Sequence, residues 1–328
     1  MDKNYHATPK FVHNLWTTNE DDEYYLRFTA GLYEVEKEDA RDFYKIRRYC
    51  TGHNTVAEIA HHTNLPVQRI EEMVASLHEI GMVRNETQPA NEDLLSKTIQ
   101  ACEMWAEQVE ETHLFNKFLY GDTSRNVLIG FFLETYHYIK AFPSIISAAL
   151  DNTDNPELKK ILTEYQQQET GHEAFILSTL LKLGMKRAEV ESSVPLVSTL
   201  TLINMISELF RKHPSSVFLI AKVIESHDFD QAEVTQAIQE ITRHYTLAPG
   251  TLEPFFQHSQ IDYELGHSQL LDNHGHLVTL ASLEETSFIL NAIHDIKHAI
   301  DLQCLEIEEY YSKEGNYIPR QRVDYFGI

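Results

Sequence analysis

The stretch that decides the fold is Glu164–Met185, EYQQQETGHEAFILSTLLKLGM. It reads as part of a long helix over Pro156–Leu183, opened by Asn155-Pro156 and stopped at Gly184. Within it Glu169 and His172 stand three apart, so a helix places both on one face. That pair alone fits a solvated face as readily as a ligand pair, and what lies around it must discriminate.

Outward from this stretch the periodicity stays helical. Segments are expected over Glu92–Phe118, Ser124–Ile139, Pro143–Leu150, Val194–Lys212, Ser215–Ser226, Asp230–Tyr245, Thr251–Asn273 and Leu283–Tyr311. Their breaks fall at Gly121, Pro143, Gly184, Pro195, Pro214, Gly250 and Gly275, and the tail Ser312–Ile328 is irregular, docked by Tyr317, Ile318, Tyr325 and Phe326. The C-terminal part, residues 91–328, is therefore an all-α bundle.

Two more clusters bear on chemistry. FFQHSQIDYELGHSQLL (255–271) sets His258 and Asp262 four apart, with His267 five further on. SSVFLIAKVIESHDF (215–229) ends an apolar helix on Glu225, and a buried carboxylate must be paired, protonated or bound to a metal. Carboxylates and imidazoles drawn from several bundle helices are the donor set of a non-heme diiron site. FFLETYHYIKAFP (131–143) offers a competing ExxH, Glu134 and His137, which with Tyr138 reads as a core helix lining a substrate cavity. His294, His298 and Asp301 share a face of the last helix and read as a polar interhelical contact; His113 is the position a heme ligand could take.

These residues resemble the heme-oxygenase-like diiron oxidases, whose bundle is shared with heme oxygenase, thiaminase II and pyrroloquinoline-quinone synthase. The resemblance runs from about residue 95 to 310 and rests on Glu169-Thr170-Gly171-His172, Glu225 and His258-xxx-Asp262. It implies that Glu169, His172, Glu225, His258, Asp262 and His267 are iron ligands and catalytic residues, with two non-heme iron ions and O2 as cofactors. One departure stands out. The family's last His usually follows the Asp by three residues, where this chain has Leu265. On a regular helix His267 points about 140° away from Asp262. A π-bulge beside Gly266 would return it, and Glu264 is the alternative ligand.

The first 90 residues differ in kind. Phe11–Thr18, Tyr24–Ala30 and Leu32–Lys37 read as a three-stranded meander turning at Asn19–Glu23 and Gly31; helices follow over Ala40–Cys50, Thr55–Thr63 and Pro66–Gly81, and Met82–Val83 begins a last strand. Three strands and three helices make a winged helix. DNA binding is disfavoured: residues 1–90 sum to about −5, and the third helix sets Arg69 against Glu71, Glu72 and Glu79. The run Thr51-Gly52-His53-Asn54-Thr55-Val56-Ala57-Glu58-Ile59-Ala60, with Leu77 and Ile80-Gly81-Met82-Val83, resembles the peptide-binding domain of ribosomal-peptide maturation systems, typified by the pyrroloquinoline-quinone peptide chaperone. That implies a leader peptide added as a strand beside Leu32–Lys37, contacting Leu32, Tyr33, Glu34, Val35, Glu36, Arg69 and Met73. The polar run RNETQPANEDLL (84–95) is the expected linker.

Composition bounds the rest. The chain has 328 residues, 42% apolar and 23% charged, with 12 Gly and 10 Pro, and suits a mostly helical two-domain protein. A net charge of −23 argues against nucleic acid as a partner. Cys50, Cys102 and Cys304 form no metal or disulfide motif, and no signal peptide or spanning segment is read, so a cytoplasmic protein without a membrane partner is expected. Together the halves imply an O2-dependent diiron oxidase that hydroxylates, desaturates, cleaves a C–C bond or oxidises an amine on a ribosomally made precursor peptide. The alternatives are a metal-free oxidase or hydrolase on the same bundle, and a ligand-sensing, DNA-binding regulator. Homodimerisation is expected by analogy with the bundle class.

Overall fold

The computed structural model describes residues 8–11, 16–20, 23–28, 31–84, 94–225 and 229–327. The chain divides into two compact units, Met1–Met104 and Trp105–Ile328.

In the first unit, strands β1 (Lys10–Phe11), β2 (Trp16–Glu20), β3 (Glu23–Phe28) and β4 (Gly31–Val35) precede helices α1 (Lys37–Arg47), α2 (Val56–Thr63) and α3 (Val67–Glu79), and β5 (Val83–Arg84) follows. β2, β3 and β4 form an antiparallel meander in that order, with Glu20 opposite Glu23 and Phe28 opposite Gly31. The first expected strand is corrected. Phe11 belongs instead to β1, which pairs with β5 through Phe11 opposite Val83, and residues 12–15 lie outside the described set. The third strand stops at Val35, because Lys37, Glu38 and Asp39 already form the first turn of α1, where acidic side chains suit the helix dipole. Thr55 caps α2 in a reciprocal box with Glu58, and Pro66 is the residue before α3 rather than its first turn. Phe11, Leu26, Phe43, Ile46, Ile59, Ile70, Val74, Leu77 and Met82 close the core of this unit. Residues 85–93 of the expected linker lie outside the described set.

Helix α4 (Leu94–Thr112) contains the division between the units. The second unit continues with α5 (Leu114–Tyr120), α6 (Arg125–Leu150), α7 (Pro156–Glu169), α8 (Glu173–Lys182), α9 (Arg187–Ser192), α10 (Val197–Lys212), α11 (Ser216–Ile224), α12 (Gln231–Tyr245), α13 (Glu253–Glu264), α14 (Leu270–His274) and α15 (Leu283–Ser312). α6 is the central helix and packs against α7, α8, α10 and α15. Its continuity corrects the break expected at Pro143. Ile139, Phe142, Ile145 and Ile146 are all buried around that proline, and their packing outweighs the ~3 kcal/mol that proline costs inside a helix. Two helices expected as continuous are interrupted instead. α7 and α8 are separated by Thr170–His172, with Gly171 at φ +96°; α13 stops before Gly266 at φ +78°. The first long helix also breaks, at His113, whose Nδ1 accepts the Phe115 N–H as the cap of α5. The tail is held differently from expectation. Ile318 packs on the core and Val194 N–H donates to the Arg320 carbonyl, while Tyr317, Tyr325 and Phe326 are exposed. Among the described residues no helix is long and apolar enough to cross a membrane.

Candidate metal centre

Each helix interruption carries a chemical group. α7 ends on Glu169, and three residues later His172 precedes α8. The two therefore meet across a left-handed glycine rather than along one helix face, with His172 Nδ1 3.6 Å from Glu169 Oε2. Glu225 is the residue after α11, an apolar helix buried almost throughout. α13 supplies the only pair on a regular helix, His258 and Asp262, with His258 Nδ1 3.0 Å from Asp262 Oδ2. Beyond it Gly266 turns the chain, and His267 opens a 3-10 turn, His267–Gln269. No π-bulge forms: the left-handed glycine re-aims the chain instead, which any other residue would resist. A Cβ at Gly171 or Gly266 would meet nothing within 4 Å, so each glycine is required by conformation and not by space.

All six expected ligands converge. His267 Nδ1 lies 3.1 Å from Glu169 Oε1, 3.5 Å from Glu225 Oε2 and 3.7 Å from Asp262 Oδ1. His172 Nδ1 lies 3.2 Å from Asp262 Oδ1, and the rings of His172 and His258 stand edge to face at 4.9 Å. Glu169 thus presents one oxygen to each imidazole group, and Asp262 Oδ1 lies between them. Two trios of donor atoms lie within 4.8 Å of one another, Glu169–His172–His258 and Glu169–Asp262–His267. The alternative, Glu264, does not join them: its side chain is exposed and accepts from Gln260 Nε2.

The donors are buried and short of partners. His172 Nδ1, His258 Nε2, His267 Nδ1, Glu225 Oε2 and Asp262 Oδ1 have no hydrogen bond. Buried polar atoms left so are costly, by about 1–3 kcal/mol each. Burial and then the Glu169 charge push the Glu225 carboxyl up to about 8. Asp262 beside its ring raises His172, and burial lowers His258. Burial alone would lower His267 too, but contact with Glu169 and the charge of Glu225 leave it raised. Three carboxylates and three imidazoles that fail to satisfy one another are the donor set that suits divalent iron or manganese. Iron fits these residues.

The sequence did not reveal the supports. Tyr165 Oη donates to Glu225 Oε1 at 2.7 Å, and Gln168 Oε1 lies 3.2 Å from His267 Nε2. Both sit on α7 within one turn of Glu169, and that proximity was their only signal. Of the expected cavity residues, Tyr138 belongs near the cluster: its buried hydroxyl has no partner, and burial plus the charges of Glu225 and Glu169 raise it well above its usual value. Glu134 and His137 are committed elsewhere, as is Asp301, which accepts from Lys297 Nζ at 2.7 Å.

In the first unit, among the described residues, β4 pairs with β3. Beside it and α3 lies a groove of about 540 Å³ whose lining includes Tyr33, Glu34, Val35, Arg69, Glu72 and Met73. Leu32 is exposed, and Glu36 is the residue before α1. Arg69 is ion-paired with Asp39 and Asp42.

Residues 129–289 match the family model described as "Iron-containing redox enzyme". No curated protein matches the chain. Among solved structures, a domain of unknown function with a heme oxygenase-like fold from Shewanella denitrificans OS217 is similar at 20% identity and a TM-score of 0.52, over 68% of this chain and 95% of that one. A TenA homolog from Pseudomonas syringae pv. tomato DC3000 is similar at 14% identity and a TM-score of 0.51, over 69% of this chain and 99% of that one. The helical unit is accordingly a heme-oxygenase-like bundle, and the segment that carries all six converging donors matches the iron-containing redox enzymes.

Proposed function

We propose that the protein is a diiron, O2-dependent oxidase that modifies a side chain of a ribosomally made precursor peptide, whose leader it binds through the N-terminal unit. The observation that carries the metal half is the pair of overlapping donor trios, in which a buried nitrogen of each imidazole and Asp262 Oδ1 have no hydrogen bond. When bound, iron supplies the redox chemistry that activates dioxygen. His172 and His258 would hold iron at one end of the cluster and His267 and Glu225 at the other, with Glu169 and Asp262 lying between them. Tyr138 keeps its proton, because burial raises it well above its usual value, so its hydroxyl is a donor towards an oxygen atom in the site.

The peptide half rests on β4, which among the described residues pairs with β3 alone, and on the groove beside it and α3. An extended segment added there gains backbone hydrogen bonds, while Tyr33, Val35 and Met73 offer apolar contacts. A leader held in this way raises the local concentration of the attached core peptide.

The test is metal content after anaerobic Fe(II) loading and desalting, then iron-dependent oxygen uptake, for wild type and His258→Ala. Two irons per chain in the wild type, reduced in the variant, support the reading. Turnover without iron overturns it. For the peptide half, a precursor encoded beside this gene should gain or lose mass under oxygen with the iron-loaded enzyme. Glu34→Pro, which removes an N–H that the hairpin register turns away from β3, should abolish its binding.

A further inference from the structure

The two ends of the cluster are built differently. Asp262 and His258 stand one turn apart on α13, which fixes their backbone. Glu225 and His267 have no such support: one follows the end of α11, and the other follows a left-handed glycine. Their order comes from a third element. Tyr165, Gln168 and Glu169 occupy positions i, i+3 and i+4 of α7 and share one face. Tyr165 Oη binds Glu225 Oε1 at 2.7 Å, and its ring stands edge-on to His267 at 4.9 Å and 77°. Gln168 Oε1 faces His267 Nε2 at 3.2 Å.

An amide oxygen only accepts, so His267 Nε2 must carry the proton of a neutral ring. The other nitrogen then keeps its lone pair, and that nitrogen is the one facing Glu169, Glu225 and Asp262 without a hydrogen bond. Likewise Tyr165 occupies only Oε1 of Glu225, leaving Oε2 unpartnered and turned towards His267.

We propose that Gln168 and Tyr165 are the positioning residues of the second metal position: Gln168 selects the His267 tautomer that offers Nδ1, and Tyr165 holds Glu225 so that Oε2 is offered. The inference rests on the cluster being a metal centre. It makes α7 the template for that position, supplying one ligand and orienting two more. Outer hydrogen bonds of this kind typically govern metal affinity by 10–100-fold.

Anaerobic Co(II) binding, followed by equilibrium dialysis and metal analysis, tests it in wild type, Gln168→Leu, Gln168→Glu and Tyr165→Phe. The expected result is a second Co(II) weakened about 10–100-fold in Gln168→Leu and Tyr165→Phe, with the first unchanged. Gln168→Glu keeps an acceptor and should restore wild-type binding, a rescue that a purely structural role does not explain. Two unchanged affinities in Gln168→Leu would overturn the proposal. A wild type that binds fewer than two Co(II) would instead count against the diiron reading. The tautomer is then still read in metal-free protein, from imidazole 15N shifts at a pH where the ring is neutral. Wild type should show His267 protonated on Nε2, and Gln168→Leu a mixture; an Nδ1-protonated wild type overturns the proposal.

Discussion

Glu134-Thr135-Tyr136-His137 and Glu169-Thr170-Gly171-His172 are two of the segments in which glutamate and histidine stand three apart. They have opposite fates. Glu134 lies within α6 and both its oxygens are used: Oε2 accepts the Leu196 N–H at 2.9 Å and Oε1 the Tyr311 hydroxyl at 2.8 Å. His137 Nε2 lies 2.9 Å from Ser193 Oγ. Glu169 and His172 straddle a helix break, and the buried His172 Nδ1 has no hydrogen bond. Spacing made the two alike, and hydrogen-bond satisfaction separates them. One carboxylate tethers the start of α10 to the core; the other faces His172 and His267 across the helix break.

The widest gap between the two should appear in metal binding. Glu169→Gln keeps shape and volume but removes the negative charge, and Glu169 belongs to both donor trios. It should take bound iron from two per chain to none. Glu134→Gln should keep both irons. Metal analysis after anaerobic loading decides the matter, and equal losses in the two variants would collapse the distinction.

Next in size is the dependence on pH. Burial and the charge of Glu169 push Glu225 up to about 8, against 4.5 for the ordinary group. The folded apoprotein therefore holds a proton there that the unfolded chain releases. Its stability should fall as pH rises from about 4.5 to 8 and level off above, by a few kcal/mol in all. His267, also raised, adds a fall of the same sign as pH climbs through its folded value. His258 is lowered by burial, so its share runs the other way and is lost as pH drops below its ordinary 6.5. Urea unfolding of metal-free protein at several pH values should show the net fall, and Glu225→Gln should flatten it. Metal binding should strengthen over the same range, since the ligand must give up its proton.

The contrast also marks what could be read in the sequence. Helix identities, the meander and all six converging side chains follow from periodicity, turn residues and family resemblance. The geometry that joins them does not. A helical wheel puts Glu169 beside His172 and turns His267 away from Asp262, yet neither helix is continuous, because Gly171 and Gly266 each adopt a left-handed conformation. Glycine permits that conformation without demanding it, so sequence alone left a bulge as the natural guess. Pro143 misleads in the opposite sense: packing around α6 carries the helix through it. Tyr165 and Gln168 were invisible because a supporting hydrogen bond has no spacing rule.

Stability gives the reverse ranking of the two glutamates. Glu134→Gln replaces one acceptor with an amide donor facing either the Leu196 N–H or the Tyr311 hydroxyl. The mismatch should cost about 1–3 kcal/mol, read as a lower urea midpoint at unchanged slope. Glu169→Gln relieves crowding among carboxylates and should leave metal-free stability unchanged or higher. Destabilisation of the apoprotein by Glu169→Gln would make it a structural residue like Glu134.

The smallest effect isolates the helix break itself. Gly266 and Gly184 both hold positive φ, +78° and +99°, and an added Cβ meets nothing within 4 Å at either. Alanine should therefore cost each site about 1–2 kcal/mol of conformational strain and nothing from clash. Gly184 only closes α8, where Met185 N–H reaches back to the Leu180 carbonyl, so Gly184→Ala should lower stability and leave metal affinity alone. Gly266 aims His267, and the cheapest escape from strain there is to straighten the chain towards α13 and swing the ring off the cluster. Gly266→Ala should thus weaken one of two bound metals roughly tenfold, the equivalent of about 1.4 kcal/mol. Gly266→Asn, which tolerates the left-handed region better, should recover part of that affinity. Equal metal binding in Gly266→Ala and Gly184→Ala would mean that packing around His267 aims the ring whatever the backbone prefers.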